Sequence, residues 1–386
     1  MVWLDEQAVR DLERGAAILG SGGGGDTYLG ALVALQAVRK HGPVRLLAPY
    51  ELADQALVIS VAFMGSPAVF DEKLPGEKTL LAALEALQEH LGRQAEALVP
   101  VEVGGRNCLS AVATAAAAGL PLVDADGFGR AFPDLQMVSF GIYGVQGCPF
   151  VLVNEPGDVI IIRAADNHTL EHLARGAAQG LGGVAHLAGY PMLGAQLKET
   201  AVLGTVSLAL RIGQHMRRAA PRLDDILSAI NEVTSNSTYG PMRLLCRGQV
   251  VELYRTAAET ESGAIGAPRY AFGTAQIRCR HGRHLQVQFQ NEFLQAESEG
   301  KVVVSVPDLI TMLDTETLQP LHADTLACGQ HVAVLGIPVP EIMQTPQALK
   351  CVGPRSFGYD IDYQPLDRPG RAGEGGDGSG VVRVGP

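Results

Sequence analysis

The chain has 386 residues, 47% hydrophobic and 18% charged, which is enough apolar material for two or three domains with cores of their own. Lys+Arg 30 against Asp+Glu 41 leaves a formal net charge of −11 at pH 7, a field that repels phosphate backbones and excludes nucleic acid as an expected partner. No uncharged apolar run of about 20 residues occurs, and the first residues show no basic stretch leading into an apolar one, so neither a membrane span nor a secretory leader is expected.

The six cysteines (Cys108, Cys148, Cys246, Cys279, Cys328, Cys351) form no CxxC pair and show no disulfide-like spacing. Free thiols and a cytoplasmic location are the expectation.

In chain order, Asp5 caps a helix whose apolar positions Val9, Leu12, Ala16 and Leu19 recur at helical spacing. The helix ends in Gly20-Ser21-Gly22-Gly23-Gly24-Gly25, and Asp26 caps a second helix over 27–40. Glycines let backbone amides converge on an anion at a helix N-terminus, which makes Gly22, Gly23 and Gly24 candidate substrate contacts. Against a phosphate loop stand the absent Gly-Lys-Ser/Thr, the preceding helix where a strand is required, and the repulsion of Asp26; a tight connection between helices is the other reading.

Strands follow over 44–47 and 56–63, the second a continuous apolar run of the buried parallel type that ends in Met64-Gly65-Ser66-Pro67. A helix over 77–91 sets Leu80, Leu81, Leu84, Leu87 and Leu91 on its inner side. Then come a strand over 99–103, the turn Gly104-Gly105-Arg106-Asn107, a helix over 108–118, a strand over 120–123 and the loop Asp124-Ala125-Asp126-Gly127-Phe128-Gly129-Arg130. This alternation predicts a doubly wound α/β domain over 1–165, with polar loops at the C-terminal ends of three strands, the edge where open α/β sheets bind ligands.

Past Arg130 the pattern reads as strands at 136–143, 150–154 and 159–163, then helices at 167–178, 194–218 and 223–234. Over 240–340 the period drops to two, with short strands at 249–254, 270–280, 284–294, 301–306 and 331–336. The fold class expected is therefore α/β plus β: after the α/β domain, a C-terminal domain over 166–366 of helices and a small antiparallel β-barrel or sandwich. The Gly-rich tail 367–386 is expected to be disordered.

Four groups of residues carry candidate chemistry. Asp124 and Asp126 at a strand end would raise one another's pKa if they converge, giving an acid beside a base, while Arg130 would keep both ionised; capping of the loop is the alternative. Arg106 offers a planar fork to a carbonyl or carboxylate, Asn107 matches a ring amide, and Gly105 presents backbone beside them; a turn residue and an N-cap are the plainer roles.

Cys108 in the first helical turn is either a small buried residue or a dipole-stabilised thiolate. His168 and His172 share a helix face at a metal-compatible spacing or simply face solvent. In the strand over 284–294, Asn291 falls in the apolar phase, as a structural tie or a ligand contact, and Glu292 follows the polar phase unless a bulge swaps the two.

Taken together, Leu19-Gly20-Ser21-Gly22-Gly23-Gly24-Gly25-Asp26, Gly104-Gly105-Arg106-Asn107, Asp124-Ala125-Asp126-Gly127-Phe128-Gly129-Arg130-Ala131-Phe132-Pro133, Gln290-Asn291-Glu292, Pro307-Asp308-Leu309-Ile310 and Gly353-Pro354-Arg355-Ser356-Phe357-Gly358-Tyr359-Asp360 resemble the S-methyl thiohydantoin desulfurase family over residues 5–363. The resemblance implies an N-terminal α/β domain, a C-terminal domain with a barrel-like part, and removal of a methylthio group from a five-membered hydantoin-type ring. It also suggests a hydantoinase-type protein as a partner. Gln319 stands where a turn glycine is expected and Cys108 where Ser or Thr is, which leaves a cysteine mechanism without family support.

The expected function is that of a small-molecule hydrolase on such a ring. Asp126 would activate water, Arg106 and Asn107 would hold the ring, Asp124 or Glu292 would protonate the leaving thiol, and Asn291 and Gly105 would contact substrate. No cofactor is required by this scheme, and a divalent metal near Asp124, Asp126 or His168 is left open. ATP-dependent ring opening with the Gly22–Gly25 loop on phosphate, and a non-catalytic accessory subunit, are the competing readings; a homo-oligomer is expected.

Overall fold

The structure, a computed structural model, describes residues 1–73, 76–256 and 272–366. The tail 367–386 and the first two residues of the strand expected at 270–280 lie outside the described residues.

After a short strand β1 (Val2–Leu4), the helices α1 (Glu6–Leu19) and α2 (Thr27–His41) begin where the sequence places their caps. The Asp5 carboxylate accepts from the Ala8 N–H at 2.9 Å and that of Asp26 from the Tyr28 N–H at 2.8 Å. The chain continues through β2 (Val44–Leu47), β3 (Leu57–Gly65), α3 (Pro67–Glu72), α4 (Glu77–Leu91), β4 (Ala97–Pro100), α5 (Arg106–Ala118), β5 (Leu122–Val123) and β6 (Ala125–Asp126). Then follow α6 (Ser139–Ile142), β7 (Phe150–Val153), β8 (Val159–Ile162), α7 (Asn167–Gly180), β9 (Val184–Leu193), α8 (Gly194–Thr200), β10 (Val202–Leu203), α9 (Thr205–Arg218) and α10 (Leu223–Ser235).

Eight of these strands form one sheet in the order β1-β2-β5-β4-β3-β9-β7-β8. Its centre, β2, β5, β4 and β3, is parallel, and the flanking strands are antiparallel, so the sheet is mixed rather than doubly wound throughout. β9 comes from beyond residue 165, from a stretch to which the sequence pattern assigns no element, and it holds Gly189 and Pro191 in its interior. The register against β3 shifts between Val58 and Ser60, and Tyr190 there takes a positive φ of 46°. Proline is admitted to a strand at such a bulge, where no ladder donor is required.

The single helix expected over 194–218 is two, broken where Gly204 takes a left-handed φ of 77° and β10 pairs with β6. The strand expected at 136–143 is a helical turn followed by α6, because Leu135, Met137, Val138 and Phe140 are buried together and consecutive Met137 and Val138 cannot both face one side of a strand.

The C-terminal strands are β11 (Arg243–Arg255), β12 (Gly273–Cys279), β13 (His284–Phe289), β14 (Phe293–Ser298), β15 (Lys301–Ser305), β16 (Leu309–Asp314), β17 (Pro320–Leu321) and β18 (His331–Ile337), before a last helix α11 (Pro346–Val352). They form a single antiparallel sheet in the order β15-β14-β13-β12-β11-β18-β16-β17. Among the described residues β15 and β17 each pair on one side only, and no closed barrel forms. One core lies around Val250, Ile277, Val287, Ile310 and Val334, while Leu294, Leu309 and Leu335 join the core of the larger sheet.

Cys246 and Cys279 form a disulfide, their Cα atoms 5.7 Å apart, contrary to the expectation of free thiols. They are 33 residues apart in sequence and become neighbours only through the pairing of β11 with β12, which spacing cannot show. With the disulfide, the thiol argument for a reducing compartment falls away. Among the described residues no helix is long and apolar enough to cross a membrane.

Two buried side chains join the sheets. Arg130 is fully buried and donates to the carbonyls of Asp308 at 2.8 Å and Phe293 at 3.0 Å. The Ser21 hydroxyl donates to the Ile310 carbonyl at 2.7 Å and accepts from the Ile310 N–H at 2.9 Å.

Candidate active site

The loops after β3 and β4 and the segment 128–135 converge on one cavity of about 100 Å³, closed from the C-terminal side by Asn291 and Glu292. Its wall carries four phenylalanines, Phe63, Phe70, Phe128 and Phe132, and the ionisable groups Glu102, Glu292, Arg106, Asp134 and Arg175. Polar loops at the C-terminal edge of parallel strands therefore do meet.

Glu102 and Glu292 are the most buried carboxyls of the wall. Glu102 is 6% exposed and Glu292 1%. Glu102 Oε1 accepts from Asn107 Nδ2 at 2.5 Å and Glu292 Oε1 from Asn291 Nδ2 at 2.7 Å, while the Oε2 atom of each is buried and makes no hydrogen bond. Burial pushes the Glu102 carboxyl up to about 8, and the negative charge on Glu292 adds to the rise. Burial likewise pushes Glu292 up to about 7, against the pull of the Arg130 guanidinium. Two carboxyls that stay partly protonated at neutral pH, on one wall, make an acid–base pair.

The sequence pattern missed Glu102. Its signal is a lone charge among Val99, Val101 and Val103 at the end of a buried strand, two residues before Gly104.

The Arg106 guanidinium lies over the Phe70 ring, 3.9 Å from its centroid. Asn107 is fully engaged: Oδ1 accepts from the Phe63 N–H at 2.8 Å, and Nδ2 donates to Glu102 as above and to the Phe63 carbonyl at 3.4 Å. It holds Glu102 in place rather than presenting a free amide. Asn291 does the same for Glu292. The strand expected at 284–294 ends at Phe289, and the turn over 290–292 aims both residues at the cavity, so neither follows a strand phase.

Asp126, expected as the base, does not line the cavity. It is fully buried, and its carboxylate accepts from the N–H groups of Val103 at 2.8 Å, Phe128 at 3.1 Å and Gly129 at 2.9 Å. Burial pushes its pKa up to about 7, with those three amides opposing, and the side chain ties the two loops together. Asp124 faces away, accepting from the Ser207 N–H at the start of α9. Arg130 sits behind the wall among carbonyls, near enough to Glu292 to lower its pKa.

The Gly-rich loop is a packing joint. A Cβ on Gly22 would meet the Phe293 ring at 2.4 Å, one on Gly23 would meet Glu292 Oε1 at 2.4 Å, and one on Gly24 would meet the Gly104 carbonyl oxygen at 2.8 Å. The room a phosphate would need is filled by protein, though Gly24 and Gly25 border the cavity. Gly105 stands behind Gly24 and caps α5.

Cys108 is fully buried, and burial pushes its thiol far above the ordinary range. His168 and His172 are exposed. Among the described residues no group of three or more His, Cys, Asp or Glu is placed to hold a metal ion.

Family models match the chain over two adjoining segments: S-Me-THD-like, N-terminal domain, over 7–164, and S-Me-THD-like, C-terminal domain, over 165–366. The curated proteins give no match. Among solved structures, the crystal structure of a protein from Chromobacterium violaceum is 24% identical, covers 95% of this chain and 100% of its own, and superposes with a TM-score of 0.77, which shows a shared fold.

Proposed function

The chain belongs to the S-Me-THD-like family, and from that premise we propose that the cavity hydrolyses the methylthio group from an S-methyl thiohydantoin. The observation that carries this is the pair of buried carboxyls, Glu102 and Glu292, each with an unpartnered oxygen on the wall of one small cavity. Its volume of about 100 Å³ is below the roughly 300–1,000 Å³ of sites for larger ligands and suits a single ring.

Glu292, whose ionised form the Arg130 guanidinium favours, takes a proton from water as its oxygen attacks the ring carbon that bears sulfur. Glu102, still protonated, gives its proton to sulfur as the carbon–sulfur bond breaks. Methanethiol leaves, and the ring keeps the water oxygen as a carbonyl, the remaining hydroxyl proton passing to the ring nitrogen. Arg106 and the N-terminus of α5 stabilise the negative charge that develops on the ring. The phenylalanines exclude bulk water and cover the methyl group and the ring faces. The scheme uses protein groups and water alone.

Methanethiol release from S-methyl thiohydantoins, measured for wild type, Glu102→Gln and Glu292→Gln, tests it. Each variant keeps an oxygen to accept from Asn107 or Asn291 and should lose roughly 10²–10⁴-fold in rate, the range for removal of a general acid or base. Asp126→Asn should lose stability more than rate per folded molecule. Full turnover in both glutamine variants would refute the assignment.

A further inference from the structure

We infer that the C-terminal sheet carries a second ligand site, at the Cys246–Cys279 disulfide, for a small organic anion with an apolar body. The disulfide ties β11 to β12, and an arginine follows each cysteine, so the crosslink fixes the spacing of Arg247 and Arg280. Arg243, at the start of β11, and Arg283, at the entry to β13, line the same cavity, which measures about 760 Å³. Leu285 and Val303 supply apolar wall between the four arginines.

Charge makes this place unusual. The whole chain carries −11, yet four arginines share one cavity, and an adjoining cavity of about 380 Å³ shares Arg247 and Arg280 and adds Arg278 and His331. Asp224 pairs with Arg247, whereas among the described residues Arg280 and Arg283 make no ion pair and are exposed. Like charges held this close repel, and a bound anion relieves that repulsion. Guanidinium forks grip carboxylates and phosphates alike, two contacts at a time, and the volume falls within the range of small-molecule sites. The site shares no residue with the cavity of Glu102 and Glu292 and stands independently of the reaction proposed there.

Fluorescence titration of the full chain with two probes, 2,6-naphthalenedicarboxylate and 1-naphthyl phosphate, tests the inference and separates carboxylate from phosphate preference. Uncharged 2-naphthol is the control for the apolar wall alone, and Arg218→Ala, at an exposed arginine on α9, is the control for lost charge. At least one anionic probe should saturate a single site and bind at least tenfold more weakly to Arg280→Ala/Arg283→Ala, with Arg218→Ala unchanged. Absence of saturable binding by either probe, equal binding by 2-naphthol, or full affinity in the double variant would overturn it.

Discussion

Glu102 and Asp126 show how a residue's role depends on the number of donors around it. Both are buried acids at strand ends, but Asp126 accepts from three backbone amides, whereas Glu102 accepts from the Asn107 amide, with the Phe132 backbone N–H also lowering its pKa, so one carboxyl is spent on structure and the other keeps Oε2 for the proposed chemistry. Sequence spacing named the loop and picked the wrong acid to line it, because the direction of the chain after Val123 is set by the pairing of Ala125–Asp126 with Val202–Leu203, far along the sequence. Glu292 was named, and with it Asn291, Arg106 and Asn107. The pH dependence follows from the two acids. The proposed reaction needs Glu292 ionised and Glu102 protonated, so kcat/KM should rise through about pH 7 and fall above about pH 8, with both limbs belonging to the coupled pair. In the residual activity of Glu102→Gln the alkaline limb should vanish, and in that of Glu292→Gln the acid limb; a profile flat from pH 6 to 9 in wild type would contradict the pairing.

At the scale of elements, the helix caps, the parallel centre of the larger sheet and the run of short C-terminal strands were legible, since each is a local pattern of period or cap. What was not legible is non-local: the bulged β9, the disulfide, and the packing of the Gly-rich loop on the turn before α5. That packing has a measurable consequence. Gly105 takes a φ of 69°, and a Cβ there would lie 2.2 Å from the Gly24 carbonyl oxygen, so Gly105→Ala must part the two loops. Gly119, at the other end of the same helix, has a φ of 67° with nothing within 4 Å of the added carbon. Gly119→Ala should cost about 1 kcal/mol of backbone strain and Gly105→Ala roughly 2–4 kcal/mol, by urea unfolding. Equal losses would mean that the loops do not touch as described. A drop in methanethiol release of folded Gly105→Ala is also expected, because the turn positions Arg106.

The molecule as a whole stores protons. Seven carboxyls have raised pKa values: five, Glu102 at about 8, Glu292 and Asp126 at about 7, and Asp134 and Asp308 at about 6, and with them Glu13 and Asp124, burial being the first cause in every case. The carboxylates with lowered values, Glu6, Glu51, Asp166 and Asp224, are at the surface, where ion pairs and caps contribute little. For a carboxyl raised in the folded state, the unfolded chain gives up its proton first, near pH 4 to 4.5. Between that value and the folded pKa the native state holds more protons than the unfolded one, and stability falls as pH rises. Burial of His186 works the other way, since its pKa is pushed down to about 4, but that contribution is complete about one pH unit above the unfolded value of about 6.5. From pH 7.5 to 8.5 the raised acids therefore dominate, the buried Cys108 thiol joining the carboxyls, and each retained proton gives a slope of about 1.4 kcal/mol per pH unit. Calorimetry at constant ionic strength should show a thermal midpoint that drops steadily over this window, and Glu102→Gln, which removes the highest of the five, should flatten the drop near pH 8. A midpoint that rises across the window would mean that these carboxyls are ionised in the folded protein, and the acid–base pair would lose its protonated member.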